Sequence, residues 1–391
     1  MKKKIVLAYS GGLDTSCCIR WLQKKGFEVI CFSAHLGSEF SPAQVRKKAL
    51  ATGAKKIYIK DLRKEFVSDY ILPALKANAV YEHKYVLSTA LGRPLIGKHL
   101  VDVAHQEGAK FVSHGCTGKG NDQVRIEVTV KTLDPKLEIV APLREWHLTS
   151  RESEIEYAKE EKIPIAATKE KIYSIDKNIW GVSIEAGILE DLKNSPREDA
   201  YLFTKSAKKA PNKPQVVRIG FKKGVPVTLN GNKKDLLTMI EALNRIGGTH
   251  GVGRTDMVED RTVGIKSREI YEAPAAWILL AAHRELEQLV LDKDLIAFKE
   301  LVSLRYSHLA YAGLWFSHLK QSLDAFIERT QKKVTGEVAL ELYKGNITVA
   351  GRKSPYALYK KELATYGAKD MFNRADAKGF INIFAMPYIK S

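Results

Sequence analysis

The run Ser10-Gly11-Gly12-Leu13-Asp14-Thr15-Ser16 constrains this chain more than any other. Before it, Ile5–Tyr9 reads as a buried strand; after it, Thr15–Lys25 reads as a helix closed by Gly26. Two adjacent glycines let a turn tighten until its backbone N–H groups face outward. The following helix adds the unpaired N–H groups of its first turn and its positive dipole end. With the hydroxyls of Ser10, Thr15 and Ser16, this makes a cradle for phosphate. A plain turn in which Asp14 caps the helix is the alternative, but the full run at a first strand favours the anion site. No Gly-x-x-x-x-Gly-Lys-Ser/Thr occurs in the chain, so the loop is not of the Walker A kind.

The same alternation continues. Phe27–Ala34, Lys56–Lys60, Lys110–His114 and Leu137–Ala141 read as strands. A helix opens at Ser41-Pro42 and ends near Gly53; others cover Leu91–Gln106 and Arg151–Lys162. This predicts an α/β fold with a doubly wound parallel sheet, whose ligands bind beyond the strand C-termini. Further on the pattern changes. Val216–Phe221 and Val225–Leu229 flank a hairpin turn, as do Val338–Tyr343 and Ile347–Ala350. Asp235–Arg245 reads as a helix stopped by Gly247-Gly248, and Pro274 to about Lys333 as mostly helical. The shift predicts a nucleotide-binding domain over 1–168, an α+β domain over 169–353 and an arm over 354–391.

A second loop, His114-Gly115-Cys116-Thr117-Gly118-Lys119-Gly120-Asn121-Asp122-Gln123-Val124-Arg125, also follows a strand. Its glycines free the backbone to approach a ligand. Thr117, Asn121 and Asp122 beside Lys119 and Arg125 suit a zwitterionic amino acid next to a nucleotide. The formal charge of +18 is compatible with nucleic acid, but the basic residues are spread along the chain, and attraction of small anions is an equal reading. Cys17, Cys18, Cys31 and Cys116 form no Cys-x-x-Cys pair, so neither a zinc site nor a disulfide framework is expected. The Met1–Tyr9 start is too short for a signal-peptide core, and no apolar run is long enough to span a bilayer. A cytoplasmic protein with no membrane or nucleic-acid partner is the expectation.

The first loop resembles the pyrophosphate loop of the ATP pyrophosphatases, and both loops together resemble those of the argininosuccinate synthetase family. The likeness continues through Tyr85–Pro94, Tyr173–Glu190, Gly251–Arg254, Val258–Arg261, Lys266–Arg268, Ile270–Glu272, Gly351–Pro355 and Asp376–Asn382. It therefore covers essentially the whole chain.

The resemblance implies condensation of citrulline with aspartate, ATP giving AMP and pyrophosphate through a citrullyl-adenylate, in arginine biosynthesis. It assigns ATP to Ala8, Tyr9, Ser10, Gly11, Gly12, Asp14, Thr15, Ser16, Ala34 and Gly115, with Mg²⁺ carried on the phosphates rather than in a protein cage. It assigns aspartate to Thr117, Asn121 and Asp122. Citrulline falls to Tyr85, Thr89, Asn121, Arg125, Ser174, Ser183, Glu259 and Tyr271. Asp14, Lys119 and Asp122 form the expected catalytic set, Lys119 facing phosphate charge and Asp122 as proton acceptor for the aspartate amine. A homotetramer is implied, built through the arm, where Tyr356, Leu358, Tyr359, Phe372, Phe380, Ile383 and Phe384 supply apolar surface; packing on their own subunit is the alternative.

The chain departs from the family pattern at a few positions. Ser88 stands for glycine, Ala90 for a citrulline-contacting serine, Gly92 for alanine, Cys116 for alanine and Leu143 for tryptophan. His35 and Ser38 also differ. These departures leave open a related AMP-forming ligase with a different ureido or amide acceptor.

Overall fold

A computed structural model describes residues 2–37, 41–148, 150–164 and 173–389. Ser38 and the expected boundary at 168 lie outside the described residues. Strands β1 (Lys3–Ala8), β2 (Phe27–His35), β3 (Lys56–Asp61), β4 (Phe111–His114) and β5 (Glu138–Val140) form a parallel sheet in the order β3-β2-β1-β4-β5. Each overlaps a strand expected from sequence. Successive residues of β1 point to opposite faces: Val6 joins the core shared with the helix Ser88–Glu107, while Ile5 and Leu7 join the core shared with the helix Leu13–Lys24. Both faces are covered, so the strand reads as an unbroken apolar run. The helix Pro42–Thr52 has the expected ends: the Ser41 hydroxyl accepts from the Gln44 N–H, Pro42 sits at the first position, and Gly53 turns left-handed at φ +113°.

The sheet grows in opposite directions from β1, through β2 to one edge and through β4 to the other. That reversal opens a crevice beyond the C-terminal ends of β1 and β4.

The remaining strands are antiparallel. Gln215–Lys222 and Val225–Leu229 pair as expected through Lys223-Gly224, both left-handed at φ +51° and +76°. The hairpin Gly336–Tyr343 with Asn346–Lys353 repeats this turn at Lys344-Gly345, and its first strand lies beside Gln215–Lys222. A separate four-stranded sheet contains Ser174–Asn178, Gly181–Glu185, Arg254–Asp260 and Lys266–Glu272. It stands against the crevice.

One helix differs from expectation. Leu236–Thr249 runs through Gly247-Gly248 rather than stopping before them. A Cβ on Gly248 would lie 2.0 Å from the Phe203 carbonyl oxygen, and one on Gly247 2.7 Å from Ile278. These glycines serve close packing, not termination.

Helices do fill most of Pro274–Lys333. In the arm, the seven apolar residues singled out from sequence are all exposed, Ile383 at 72%. Phe380 stacks on Phe384 at 5.3 Å, but none of the seven joins the buried core.

Candidate active site

The first loop is built as its sequence requires. Gly11 takes φ +81°, and Gly12, which has no side chain to cap with, begins the helix Leu13–Lys24, with Asp14 in its first turn. The Ser16 hydroxyl donates to the Gly12 carbonyl at 2.6 Å, and the Ser10 and Thr15 hydroxyls are hydrogen-bonded at 3.1 Å. Lys48 donates to the Gly11 carbonyl at 2.7 Å. These bonds hold the carbonyls back and leave the first-turn N–H groups facing the crevice.

The second loop leaves β4 directly alongside. A Cβ on Gly115 would lie 2.6 Å from Thr15 Cγ2, so only glycine lets the loops touch. Buried His114 fixes the start of this loop. Its Nδ1 accepts from the Cys116 N–H at 3.2 Å, so its Nε2 carries the proton bonded to Glu127 at 2.8 Å.

Beyond the loops the cleft widens to about 580 Å³. Its floor holds a buried ion network. Asp122 accepts from Arg93 at 2.7 Å and from Arg125 at 3.0 Å, while Arg93 also binds Asp176. Burial alone would raise the Asp122 carboxyl; Arg93 and then Arg125 outweigh it and hold the group below its ordinary value. Arg125 also donates to the Tyr311 carbonyl at 2.7 Å and lies 4.7 Å from the centre of its ring.

An aromatic wall stands opposite. Tyr85 stacks on Tyr271 at 4.0 Å, and Tyr81 on Tyr311 at 3.6 Å. Glu259, buried beside them, accepts from the Tyr271 and Tyr311 hydroxyls. Burial pushes its carboxyl up, and the two tyrosines moderate the rise.

These two loops and this wall match a known family throughout. Residues 4–164 match the model of the arginosuccinate synthase N-terminal HUP domain, and residues 173–390 that of the arginosuccinate synthase C-terminal domain. The chain belongs to the argininosuccinate synthase family. An argininosuccinate synthase of Caldanaerobacter subterraneus subsp. tengcongensis is 55% identical over 385 residues, 98% of this chain and 94% of that protein. One of Pelodictyon phaeoclathratiforme is 55% identical over 386 residues, 98% and 96% of the two chains. A solved 4-thiouridine synthetase–RNA complex with bound ATP is 18% identical, covering 41% of this chain and 40% of its own at a TM-score of 0.30, too slight to argue from.

The residues expected from the argininosuccinate synthase resemblance gather in one place. From the first loop and β2, the lining takes Ala8, Tyr9, Ser10, Asp14, Thr15 and Ala34. From the second it takes Gly115, Thr117, Asn121, Asp122 and Arg125; from further along, Tyr85, Thr89, Ser174, Ser183, Glu259 and Tyr271. Gly11, Gly12 and Ser16 shape the first loop without lining the cleft, and Ser16 is buried. Lys119 is exposed at the tip of the second loop and does not line the cleft either. Asp122, held ionised by two guanidinium groups, is a weak base, which counts against its expected part as proton acceptor.

Sequence reasoning missed several residues. Arg93 was quoted only within a motif, yet it anchors Asp122. Tyr311 reads as an ordinary core tyrosine at a helix end. Asp176, Glu185, Arg261 and Glu269 also line the cleft.

Three of the departures, Ala90, Cys116 and His35, can be placed relative to the cleft. Ala90 is fully buried and off the lining, whereas Thr89 lines it with its hydroxyl 2.8 Å from that of Ser183. Burial pushes the Cys116 thiol up, keeping it protonated and without a thiolate's reactivity. Burial lowers His35, keeping it neutral at pH 7. Among the described residues, no group of three or more His, Cys, Asp or Glu side chains is placed to hold a metal ion, and no helix is long and apolar enough to cross a membrane.

Proposed function

We propose that this chain condenses citrulline with aspartate, converting ATP to AMP and pyrophosphate, in arginine biosynthesis. The observation that carries the reading is the contact of Gly115 with Thr15. It makes two anion-cradling loops into one mouth, opening onto a cleft with paired guanidinium groups and a hydroxyl-rich wall.

In this reading Ala8–Ser16, Ala34 and Gly115 take ATP. Thr117, Asn121 and Asp122 take aspartate. Tyr85, Thr89, Asn121, Arg125, Ser174, Ser183, Glu259 and Tyr271 take citrulline. A ureido oxygen leaves poorly until adenylated; its attack on the α-phosphate expels pyrophosphate, and the aspartate amine then displaces AMP. The chain contributes orientation and fixed dipoles aimed at phosphate charge. Arg125 suits a carboxylate, and Glu259, with two tyrosines on it, suits an α-ammonium group. Mg²⁺ would enter on the phosphates and neutralise part of their charge, the described residues offering no cage of His, Cys, Asp or Glu for it. Residues 1–168, 169–353 and 354–391 act as nucleotide domain, synthetase domain and oligomerisation arm. The exposed arm supports a homotetramer, and the working compartment is the cytoplasm.

The test is AMP and pyrophosphate release with ATP and Mg²⁺, omitting citrulline and aspartate in turn. One AMP per condensed product, requiring both amino acids, is expected. Turnover indifferent to citrulline would refute the acceptor.

A further inference from the structure

The reaction just proposed needs a base. Aspartate arrives as an ammonium ion, and its nitrogen cannot attack until one proton leaves. Among the described residues, six carboxyl groups line the cleft: Asp14, Asp122, Asp176, Glu185, Glu259 and Glu269. Asp122 lies between two guanidinium groups, Asp176 binds Arg93, and Glu259 is closed off by two tyrosine hydroxyls. Asp14 belongs to the phosphate loop.

The remaining two form a pair. Arg261 Nη2 lies 2.5 Å from a Glu185 oxygen and 3.0 Å from a Glu269 oxygen, so one nitrogen faces two carboxyl groups. Glu269 is 8% exposed in its side chain and Glu185 39%, so one is sheltered and the other opens to the cleft. The same guanidinium donates from Nη1 to the Lys119 carbonyl at 3.3 Å, and the neighbouring Thr262 N–H donates to Asn121 Oδ1 at 2.8 Å. The pair is thereby tied to the loop that carries Thr117, Asn121 and Asp122.

We propose that Glu269, backed by Glu185, accepts the proton that the aspartate ammonium group sheds before attack. Burial first, then the charge of Glu185 beside it, raises this carboxyl well above its ordinary range, and Arg261 opposes the rise. Glu259 and Tyr271 also face it, and the Ser267 hydroxyl is 3.2 Å away. A carboxyl so raised comes much closer to the proton affinity of an amino acid's amine than an ordinary carboxyl does, and transfer to it costs correspondingly less. The ammonium proton moves to the Glu269 carboxylate. The freed amine forms the C–N bond, and the C–O bond to AMP breaks with its electron pair going to the phosphate oxygen. A second amine hydrogen passes to a ureido nitrogen, giving a guanidinium product, and Glu269 returns its proton to solvent past Glu185.

This inference rests on the proposed reaction, so the experiment separates the two. Citrulline-dependent ATP–pyrophosphate exchange reads the adenylation step without aspartate; argininosuccinate formation reads both steps. Glu269→Gln should keep exchange within about threefold while aspartate-dependent kcat falls about 100-fold or more, and the acid limb of its pH profile should vanish. Glu269→Asp should restore part of the rate, and Glu185→Gln should move the acid limb to lower pH. Wild-type kcat retained by Glu269→Gln, with its acid limb intact, would overturn the proposal. If Glu269→Gln loses exchange as well, the Glu185→Gln profile decides: an unmoved limb overturns it. Absence of citrulline-dependent exchange in the wild type would instead refute the reaction itself.

Discussion

Replacing Tyr85 by phenylalanine tests how the cleft is braced. The helix Ser88–Glu107 begins after Leu87, left-handed at φ +65°, with no cap from that side chain. Its first turn is served instead by the Tyr85 hydroxyl, which accepts from the Thr89 N–H at 2.9 Å and the Ala90 N–H at 3.1 Å. Both bonds are buried, and Tyr85 is 2% exposed. Phenylalanine keeps the stack on Tyr271 and removes only the acceptor. Each buried donor left without a partner costs about 1–3 kcal/mol, and some relaxation of the turn puts the pair at about 2–4 kcal/mol. At roughly 2–4 °C per kcal/mol for a large domain, Tm should fall by roughly 4–16 °C. Thr89 and Arg93 ride on the same helix, so KM for citrulline should rise about tenfold or more. Differential scanning fluorimetry and initial-rate kinetics on Tyr85→Phe read both. An unchanged Tm together with an unchanged KM would refute the capping argument.

Other perturbations follow from the same geometry. Gly115→Ala pushes a methyl onto Thr15 and separates the loops; a strain of about 1–3 kcal/mol should lower kcat/KM for ATP by about 5–150-fold with little change in Tm. Gly248→Ala drives a Cβ against the Phe203 carbonyl and should cost about 3 kcal/mol in urea unfolding. Glu107 accepts from Lys56 and Tyr58, and Lys56 first among them holds its carboxyl down from 4.5 to about 2. A lowered folded value means stability present above pH 4.5 and lost as pH falls to about 2. Lys56 and the second ion-pair partner, Lys4, are both substantially exposed, so Glu107→Gln should cost only about 1 kcal/mol at pH 7, and the Tm gap from wild type should close between those limits.

The parallel sheet was legible because its signals are local. A strand buried on both faces is a short apolar run, and a phosphate turn needs its glycines in sequence. The four-stranded sheet beside the cleft carried no such signal. In Arg254–Asp260 the inward positions are Met257 and Glu259, so a carboxylate sits where alternation calls for an apolar side chain. Ser174–Asn178 has only Ile175, and that residue is 42% exposed. Strands that turn one face to a polar cleft lose the pattern that would reveal them, and here only likeness to a family picked out Glu259. Gly247-Gly248 failed differently. Glycine ends helices by adopting a positive φ, but it also lets helices approach, and a sequence does not say what approaches. Arg93 and Tyr311 were missed because their partners lie far along the chain, at Asp176 and Glu259.

The charge of +18 is not reflected in the described lining of the cleft. Among the described residues, Arg93, Arg125, Lys177 and Arg261 are its basic lining residues other than histidine, set against six carboxyl groups. Asp14, Asp122, Asp176 and Glu185 already balance those four charges, and Glu259 and Glu269 can only add negative charge to the wall. Arg93 and Arg125 are moreover already engaged by Asp122 and Asp176. A triphosphate therefore meets no surplus of side-chain cations here. What remains to meet it is the first loop's amides and the positive end of the helix Leu13–Lys24, partial charges fixed by the backbone. That division suits the reaction. Cations strong enough to hold the triphosphate would also hold the pyrophosphate it becomes, whereas backbone amides bind the phosphates less tightly and let the product leave.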